Sequence, residues 1–157
     1  SPHFSRHGAS SVASCRAGFT LRAFAPADTP ALVALWQACG LTRPWNDPYR
    51  DIERKRAVDP ELLLVAERAG ELVASVMIGY EGHRGWINYL AVAPVCQREG
   101  IGRALMAHAE HVLRERGCPK INLMIRGDNT EALAFYRRLG YVADDAIALG
   151  KRLEADD

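Results

Sequence analysis

Residues 97–106 read QREGIGRALM, and this stretch decides how the rest of the chain is interpreted. It follows an apolar run that ends near Val92 and opens an amphipathic one, so Gly100 and Gly102 lie where a strand is predicted to become a helix. A glycine-rich turn of this kind leaves backbone N–H groups pointing outward at the positive end of the helix dipole, which favours a phosphate group. The stretch therefore predicts an anion-binding turn.

Several unrelated protein classes use glycine turns, and two of their motifs are excluded here. A nucleotide-triphosphate loop requires Gly-x-x-x-x-Gly-Lys followed by Ser or Thr, and neither the lysine nor the hydroxyl is present. A dinucleotide fingerprint is closer, but Leu105 occupies its third small position and no acid closes a strand about 20 residues later. A tight turn without a ligand also fits the two glycines in isolation, so the surrounding sequence has to decide.

The composition is that of one ordinary domain. Of the 157 residues, 48% are hydrophobic and 25% are charged, and a domain of this size buries roughly 68–70% of the surface of its unfolded chain. No apolar run approaches the roughly 20 residues of a membrane span. The 20 basic and 19 acidic residues are interleaved and give a net charge of +1, which predicts neither nucleic acid nor a membrane as a partner.

The cysteines and the first residues bear on the location of the protein. Four cysteines are spaced too widely for a zinc knuckle or a disulfide scaffold, which favours the reducing cytoplasm. Residues 1–18 are small, polar and acid-free and lack the apolar middle of a secretory signal. We interpret residues 1–18 as a disordered N-terminal arm or a vector-derived remnant, with a transit peptide as the alternative, and residues 19–157 as the single domain.

Hydrophobic periodicity predicts alternating strands and helices. Strand patterns occur at residues 19–24, 62–67, 72–80, 86–92, 120–126, 141–142 and 146–153. Helical patterns begin after Asp28, Asp47, Gly100 and the capping box at residues 128–131. This order predicts a mixed α/β domain with no internal repeat or linker.

The glycine turn is one of several motifs that occur in a fixed order. It follows the strand end Leu90-Ala91-Val92-Ala93-Pro94 and precedes Arg126-Gly127-Asp128-Asn129 and then AFYRRLGY at residues 134–141. In order and spacing, this series resembles the GNAT N-acetyltransferase superfamily over residues 19–153. The segments 43–48 (RPWNDP), 117–121 (GCPKI) and 149–153 (LGKRL) are similar to the YpeA-type small bacterial acetyltransferases in particular, a branch that implies no assigned substrate.

The resemblance implies a fold and a cosubstrate. The fold is a single α/β (α+β) domain, in which about four helices flank a mixed, mostly antiparallel sheet of about six to seven strands. The cosubstrate is acetyl-CoA, whose pyrophosphate the turn would bind through backbone amides, and the residues implied at the turn are Gln97, Arg98, Glu99, Gly100, Ile101, Gly102 and Arg103. The resemblance further implies that Leu90, Ala91 and Val92 bond the pantetheine arm through their backbone, like an added strand.

Acetyl transfer to an amine needs a deprotonated nucleophile and a proton for the departing thiolate. Tyr136 matches the position from which the family's tyrosine donates that proton, although a tyrosine on an apolar helix face is ordinarily a core residue. Asn129 matches a residue that bonds the pantetheine or orders water beside it, although an asparagine in a capping box ordinarily starts a helix. Relatives that acetylate protein amines carry an acid where this chain has Met124. By sequence, Glu81 and His83 are the nearest substitutes for the general base, with solvated surface as the alternative.

The resemblance places the acceptor near the loop between the first two helices. Arg43 and Trp45 lie in that loop, and Tyr89 directly precedes the cofactor-contacting stretch, so these three are the predicted substrate-binding residues. Trp45 could equally anchor a loop, and Tyr89 could equally pack in the sheet. No metal is predicted, because the helix face that carries His108, His111 and Glu115 lies opposite the apolar stripe and is most simply solvated.

Together these patterns predict a cytoplasmic N-acetyltransferase. It would transfer an acetyl group from acetyl-CoA to a primary amine of a small molecule or peptide by direct attack in a ternary complex, with Tyr136 as the general acid. The alternative is a catalytically silent acyl-CoA-binding module that senses or regulates through a partner protein, and a dinucleotide-dependent oxidoreductase is a third hypothesis. Exposed sheet edges also allow a homodimer.

Overall fold

The computed structural model describes residues 18–156. The predicted N-terminal arm at residues 1–18 therefore lies outside the described residues, apart from Gly18. Within the described range, the chain folds around one mixed sheet of five strands.

The five strands lie side by side in chain order. They are β1 (Thr20–Ala23), β2 (Leu63–Arg68), β3 (Glu71–Tyr80), β4 (Gly85–Val92) and β5 (Ile121–Leu123). β1 to β4 pair antiparallel, whereas β5 pairs parallel with β4. A parallel pair requires a long crossover, which the helix between β4 and β5 supplies. The prediction of a mixed, mostly antiparallel sheet is confirmed.

Four helices flank the sheet, as predicted. They are α1 (Thr29–Ala38), α2 (Pro48–Val58), α3 (Ile101–Glu115) and α4 (Thr130–Arg138). The Asp47 carboxylate caps α2 by accepting the backbone N–H of Tyr49 at 2.9 Å. In the same way, Asn129 caps α4 by accepting the N–H of Ala132 at 3.0 Å.

The sheet has two buried faces because side chains alternate along each strand. α1 and α2 cover one face, where Trp36, Ile52 and Val65 are fully buried. α3 and α4 cover the other face, where Ile78 and Leu105 are fully buried. Burial of each such aliphatic side chain contributes roughly 1.5–3 kcal/mol, so packing fixes both helical layers to the sheet.

The predicted count of six to seven strands is too high, because the described residues form five. The predicted strands at residues 141–142 and 146–153 are irregular instead, and Val142, Ile147, Leu149 and Leu153 are 81–93% exposed. The neighbouring edge strand β5 has only three residues and offers few ladder groups. Asp144, Asp145 and Gly150 also disfavour a strand. We call residues 142–156 the distal segment.

A β-bulge interrupts β4 near its end. Ser75 of β3 lies opposite Ala91 and Met77 lies opposite Asn88, so β4 contains one extra residue between these pairs. Within the bulge Tyr89 adopts a φ of +51°, a left-handed conformation that is uncommon outside glycine. Ile87 packs on the α3 and α4 face, whereas Tyr89 and Ala91 pack on the α1 and α2 face, so the bulge switches the face on which alternate residues of β4 lie.

Two further features bear on the environment of the protein. Cys39 and Cys118 are free thiols. Across residues 18–156, no helix is long and apolar enough to cross a membrane.

Candidate active site

The strands β4 and β5 separate halfway along β4. Their parallel pairing extends only from Gly85 opposite Ile121 to Ile87 opposite Leu123. Beyond Ile87, β4 continues to Val92 with β3 on one side and no strand of the described chain on the other. Residues 88–92 therefore present an open strand edge, to which an extended ligand can add by backbone hydrogen bonds. The predicted residues Leu90, Ala91 and Val92 lie on this edge.

The end of β4 is tied to the glycine turn. The side chain of Gln97 donates a hydrogen bond from Nε2 to the carbonyl oxygen of Val92 at 3.0 Å. The Cys39 thiol donates to the same oxygen at 3.2 Å, which connects the end of α1 to this point. The Gln97 side chain thus fixes the turn against the open edge.

The turn has the geometry of an anion cradle. Gly100 adopts a φ of +89°, and a Cβ built there would meet nothing within 4 Å. Arg98 also has a positive φ, at +67°, and such alternating conformations form concavities lined by N–H groups. The first hydrogen bond of α3 runs from Ala104 N–H to Gly100 carbonyl at 3.0 Å. The N–H groups of residues 101–103 consequently have no partner within the helix, and the turn fits a phosphate.

Gly102 lies at the contact between α3, α4 and the end of β4. A Cβ at this position would lie 3.4 Å from Cζ of Phe135 and 3.7 Å from Cγ2 of Val92. The first turn of α3 therefore packs against α4 and the end of β4. This contact brings α4, and with it Tyr136, next to the glycine turn.

Tyr136 is buried between two aromatic rings. The side chain is 9% exposed, and its ring meets Phe135 and Tyr141 edge to face at centroid distances of 5.0 and 5.7 Å. Burial raises the pKa of Tyr136 to about 12. The phenol is therefore neutral at physiological pH and keeps the proton that a general acid needs.

Asn129 and the arginines of the turn face solvent. The Asn129 side chain is used as the cap of α4, which is the structural alternative raised for it. Arg98 forms an ion pair with Glu131 at 3.7 Å, with both side chains 87% exposed. Such an exposed pair contributes little to stability, so the Arg98 guanidinium is available to an anion at the turn.

Glu81 and His83 lie at the other end of β4. They form the tip of the hairpin between β3 and β4, where Glu81 accepts the backbone N–H groups of His83 and Arg84, each at 2.7 Å. These hydrogen bonds lower the pKa of Glu81. The length of β4 separates this tip from the glycine turn by roughly 23 Å at ~3.3 Å per residue. The structure does not bring these two residues together with the turn.

The loop after α1 contains the other predicted acceptor residues. The guanidinium of Arg43 donates to the carbonyl oxygens of Gly40 and Thr42, both at 2.8 Å, and so closes the end of α1. Trp45 is 58% exposed, which excludes the alternative of a buried anchor. Arg43 is thus occupied within the loop, whereas Trp45 presents a free aromatic surface.

Tyr89 connects β4 to α1 and α2. Its ring stacks on Trp36 at a centroid distance of 3.7 Å and an interplanar angle of 11°. Its hydroxyl donates to Oδ2 of Asp51 at 2.7 Å and accepts from Nδ2 of Asn46 at 3.2 Å. Burial and the Asp51 carboxylate both raise the pKa of Tyr89. The hydroxyl therefore stays protonated and is fixed in direction.

The partners of Tyr89 are residues that the sequence analysis missed. Ser75 accepts the indole N–H of Trp36 at 3.0 Å and donates to the backbone carbonyl of Tyr89 at 2.9 Å. Asp51 and Asn46 lie 38 and 43 positions away from Tyr89 in the chain. No local pattern connects residues that far apart. Among residues 18–156, no group of three or more His, Cys, Asp or Glu side chains is arranged to hold a metal ion.

Comparison with known proteins identifies the family. Residues 29–141 match the acetyltransferase (GNAT) family. The chain is 51% identical over 137 residues to an acetyltransferase of Sodalis glossinidius, a match that covers 87% of this chain and 96% of that protein.

Solved structures with the same fold support this assignment. Ard1 from Thermoplasma volcanium is similar at a TM-score of 0.69 and 29% identity, over 79% of this chain and 82% of that one. The ribosomal-protein-S18-alanine N-acetyltransferase from Escherichia coli is similar at a TM-score of 0.66 and 26% identity, over 78% of this chain and 77% of that one. The chain therefore belongs to the GNAT family and is an acetyl-CoA-dependent acetyltransferase.

Proposed function

We propose that the protein transfers the acetyl group to a primary amine by direct attack in a ternary complex, with Tyr136 as the general acid. The observation that carries this proposal is the continuity of the open edge of β4 with the glycine turn. An extended arm bonded along residues 88–92 would lead directly to a phosphate at the N-terminus of α3. Bound acetyl-CoA supplies an activated acetyl thioester.

The binding roles follow from the geometry of the backbone. The N–H groups of residues 98–103 would hold the pyrophosphate, because these residues lie at or just before the N-terminus of α3, the positive end of its dipole. Backbone groups of Leu90 to Val92 would orient the arm, so the side chains of these residues remain free to pack in the core. Most of the cosubstrate affinity would then depend on backbone conformation.

Tyr136 would hold the proton for the departing sulfur. Its raised pKa of about 12 keeps the phenol protonated at neutral pH, and its position beside Phe135 places it on the helix that packs on the glycine turn. We assign no side chain as the general base. Glu81 and His83 are left out of the proposal because they lie at an exposed hairpin tip beyond the paired end of β4, away from the open edge, and the Glu81 carboxylate is bonded to backbone N–H groups of its own turn.

Direct attack is favoured over an acetyl-cysteine intermediate. The Cys39 thiol donates its proton to the Val92 carbonyl, and burial raises its pKa. A cysteine nucleophile needs a lowered pKa or an adjacent base. Neither Cys39 nor Cys118 has a carboxylate or imidazole partner among the hydrogen bonds of the described residues.

The test is a steady-state study with a panel of amines. The panel contains a peptide with an N-terminal alanine, an N-terminally blocked peptide with an internal lysine, spermidine, glycine and kanamycin, and CoA release is measured for each. The alanine peptide is included because one solved relative carries that acceptor in its name. We expect one acceptor to be turned over, with initial-rate lines that intersect.

Other outcomes would redirect the assignment. Parallel initial-rate lines, together with an acetylated enzyme in the mass spectrum, would exclude direct attack. Calorimetric binding of acetyl-CoA without CoA release for any amine would favour the silent acyl-CoA-binding module. The exposed Met124, which stands where relatives carry an acid, is the observation that keeps this second function under test.

A further inference from the structure

The distal segment is fastened to α2 by one buried carboxylate. The side chain of Asp156 is 1% exposed and lies 2.7 Å from Arg54 and 2.9 Å from Arg152. It also accepts the backbone N–H of Asp47, the cap of α2, at 2.8 Å. The hydrogen bond from Arg54 contributes most to lowering the pKa of Asp156. A charge this inaccessible requires such partners, so residue 156 is held firmly at the start of α2.

Arg152 extends this contact to the loop after α1. Its two terminal nitrogens donate to Oδ1 of Asn46 at 3.3 and 3.1 Å. With its oxygen facing Arg152, the amide of Asn46 directs its NH₂ group to the Asp51 carboxylate and the Tyr89 hydroxyl. The reversed amide would place NH₂ against a guanidinium, so the network fixes the orientation of Asn46.

The network ends at the strained bulge of β4. Tyr89 has a φ of +51°, and the next residue begins the segment Leu90–Val92 of the open edge. A non-glycine residue in this conformation persists only where its surroundings over-determine it. Here Trp36, Ser75, Asn46 and Asp51 all act on Tyr89.

We propose that Arg152 and Asp156 are positioning residues of the acceptor side, which we define as the loop 41–47, Asp51 and Tyr89. They act through Asn46 and set the placement of the loop and of the Tyr89 hydroxyl relative to the open edge of β4. The inference rests on the proposed function, because that function requires an amine acceptor and the family resemblance places the acceptor near this loop. The groups of a catalytic site have to be held within about 0.5 Å of their productive positions. A charged, hydrogen-bonded network fixes such positions more specifically than apolar packing does.

The experiment combines hydrogen exchange with kinetics for the variants Asp156→Asn and Arg152→Ala. Hydrogen–deuterium exchange is read by mass spectrometry in peptides that cover residues 41–51 of the full chain. Loss of a charge-assisted hydrogen bond should speed exchange there about tenfold. The KM of the acceptor identified with the amine panel should rise by a similar factor, while the acetyl-CoA Kd measured by calorimetry changes less than twofold.

Matched controls separate positioning from general stability. Glu154→Gln removes an acid that is 73% exposed and 3.9 Å from Arg54, and Lys151→Ala removes an exposed neighbour; both should exchange like the wild type. Arg152→Lys keeps the charge but cannot span Asn46 and Asp156 together, so its exchange should be intermediate. In an Asn46→Ala background, Asp156→Asn should add little to the acceptor KM, because both changes interrupt one network.

The outcomes distinguish this inference from the proposed function. Unchanged exchange at residues 41–51 in both variants would overturn the positioning role, whatever the enzyme does with amines. Faster exchange accompanied by an equal loss of acetyl-CoA affinity would also overturn it, since the network would then support the whole site. Failure of the wild type to release CoA with any amine would count against the proposed function, and the exchange result would still show whether residues 152 and 156 hold the loop.

Discussion

The cofactor side and the acceptor side of the candidate site are built in opposite ways. The candidate cofactor side consists of residues 90–103, a continuous stretch in which backbone groups and two positive φ values, at Arg98 and Gly100, would make the binding surface. The acceptor side draws side chains from the loop after α1, from α2 and from β4. It is supported by Ser75 of β3 and by the distal segment, through hydrogen bonds that join residues up to 109 positions apart. The first is a property of local conformation, and the second exists only once the fold is complete.

This difference predicts that substitutions on the two sides will have different effects. On the cofactor side, a side chain matters when it changes the backbone or meets the reacting atoms. On the acceptor side, a change at one position should spread to its partners, because buried polar networks act as units. The following predictions test this contrast, beginning with the largest effect.

Replacement of Tyr136 by phenylalanine should cause the largest loss. The ring and its edge contacts with Phe135 and Tyr141 would remain, whereas the phenolic proton would be lost. General acid catalysis contributes about 10²-fold or more, so kcat should fall by about 10²-fold while the acetyl-CoA Kd stays within twofold. Steady-state kinetics and calorimetry measure the two quantities. An unchanged kcat would reduce Tyr136 to a packing residue.

The pH dependence of the wild type tests the same group. Burial raises the pKa of Tyr136 from 10.0 to about 12, so the neutral phenol is favoured in the folded state. Its contribution to stability is complete below pH 10 and is lost as the pH rises toward 12. We expect that ionisation of Tyr136 causes no decline in kcat between pH 8 and pH 10. The pH profiles of the wild type and of Tyr136→Phe should therefore have the same shape in this range. A decline in this range that disappears in the variant would show that the pKa is not raised.

Ser75→Ala should give the largest loss of stability on the acceptor side. Ser75 and Trp36 are fully buried, and the substitution leaves the Trp36 indole N–H without its acceptor and the Tyr89 carbonyl without its donor. An unsatisfied buried group costs about 1–3 kcal/mol, so we expect a free energy of unfolding lower by about 2 kcal/mol in urea denaturation. In a Trp36→Phe background the same substitution should cost clearly less. Equal costs in both backgrounds would show that the two residues do not act together.

The contrast also explains how much the sequence could predict. The glycine turn and the four helices follow from local patterns, so they could be predicted, whereas the mostly antiparallel sheet was expected from the family resemblance. The absence of strands at residues 141–142 and 146–153 could not be predicted, because an alternating pattern does not show whether a partner strand is present. The contacts of Tyr89 with Asp51 and Asn46 were missed for the same reason: a helix periodicity places Asp51 on α2 but does not say which strand residue it will meet.

Gly100→Ala and Gly102→Ala form a matched pair on the cofactor side. Gly100 has a φ of +89° and open space around its Cβ position, so its substitution changes conformation and the shape of the cradle. A left-handed conformation costs a non-glycine residue about 1–2 kcal/mol, and we expect the acetyl-CoA Kd to rise about tenfold. Gly102→Ala instead adds a methyl group at ordinary contact distance from Phe135, 3.4 Å, in a helical position that favours alanine over glycine, so thermal stability should not fall and the Kd should change less than for Gly100→Ala. A reversed order would show that helix packing, not the turn conformation, limits cosubstrate binding.

The smallest effects are expected for Glu81→Gln and His83→Gln at the tip of the β3–β4 hairpin. Glutamine at position 81 retains a side-chain oxygen for the N–H groups of residues 83 and 84, so the turn should persist. Because the tip lies beyond the end of β4 that pairs with β5, away from the open edge at residues 88–92, neither variant should change kcat by more than about twofold, whereas loss of a general base would cost about 10²-fold. Steady-state assays between pH 6 and pH 9 would decide. A large fall in kcat for His83→Gln, together with a changed pH profile, would identify His83 as the general base. The acceptor amine would then approach from the hairpin and not from the loop after α1.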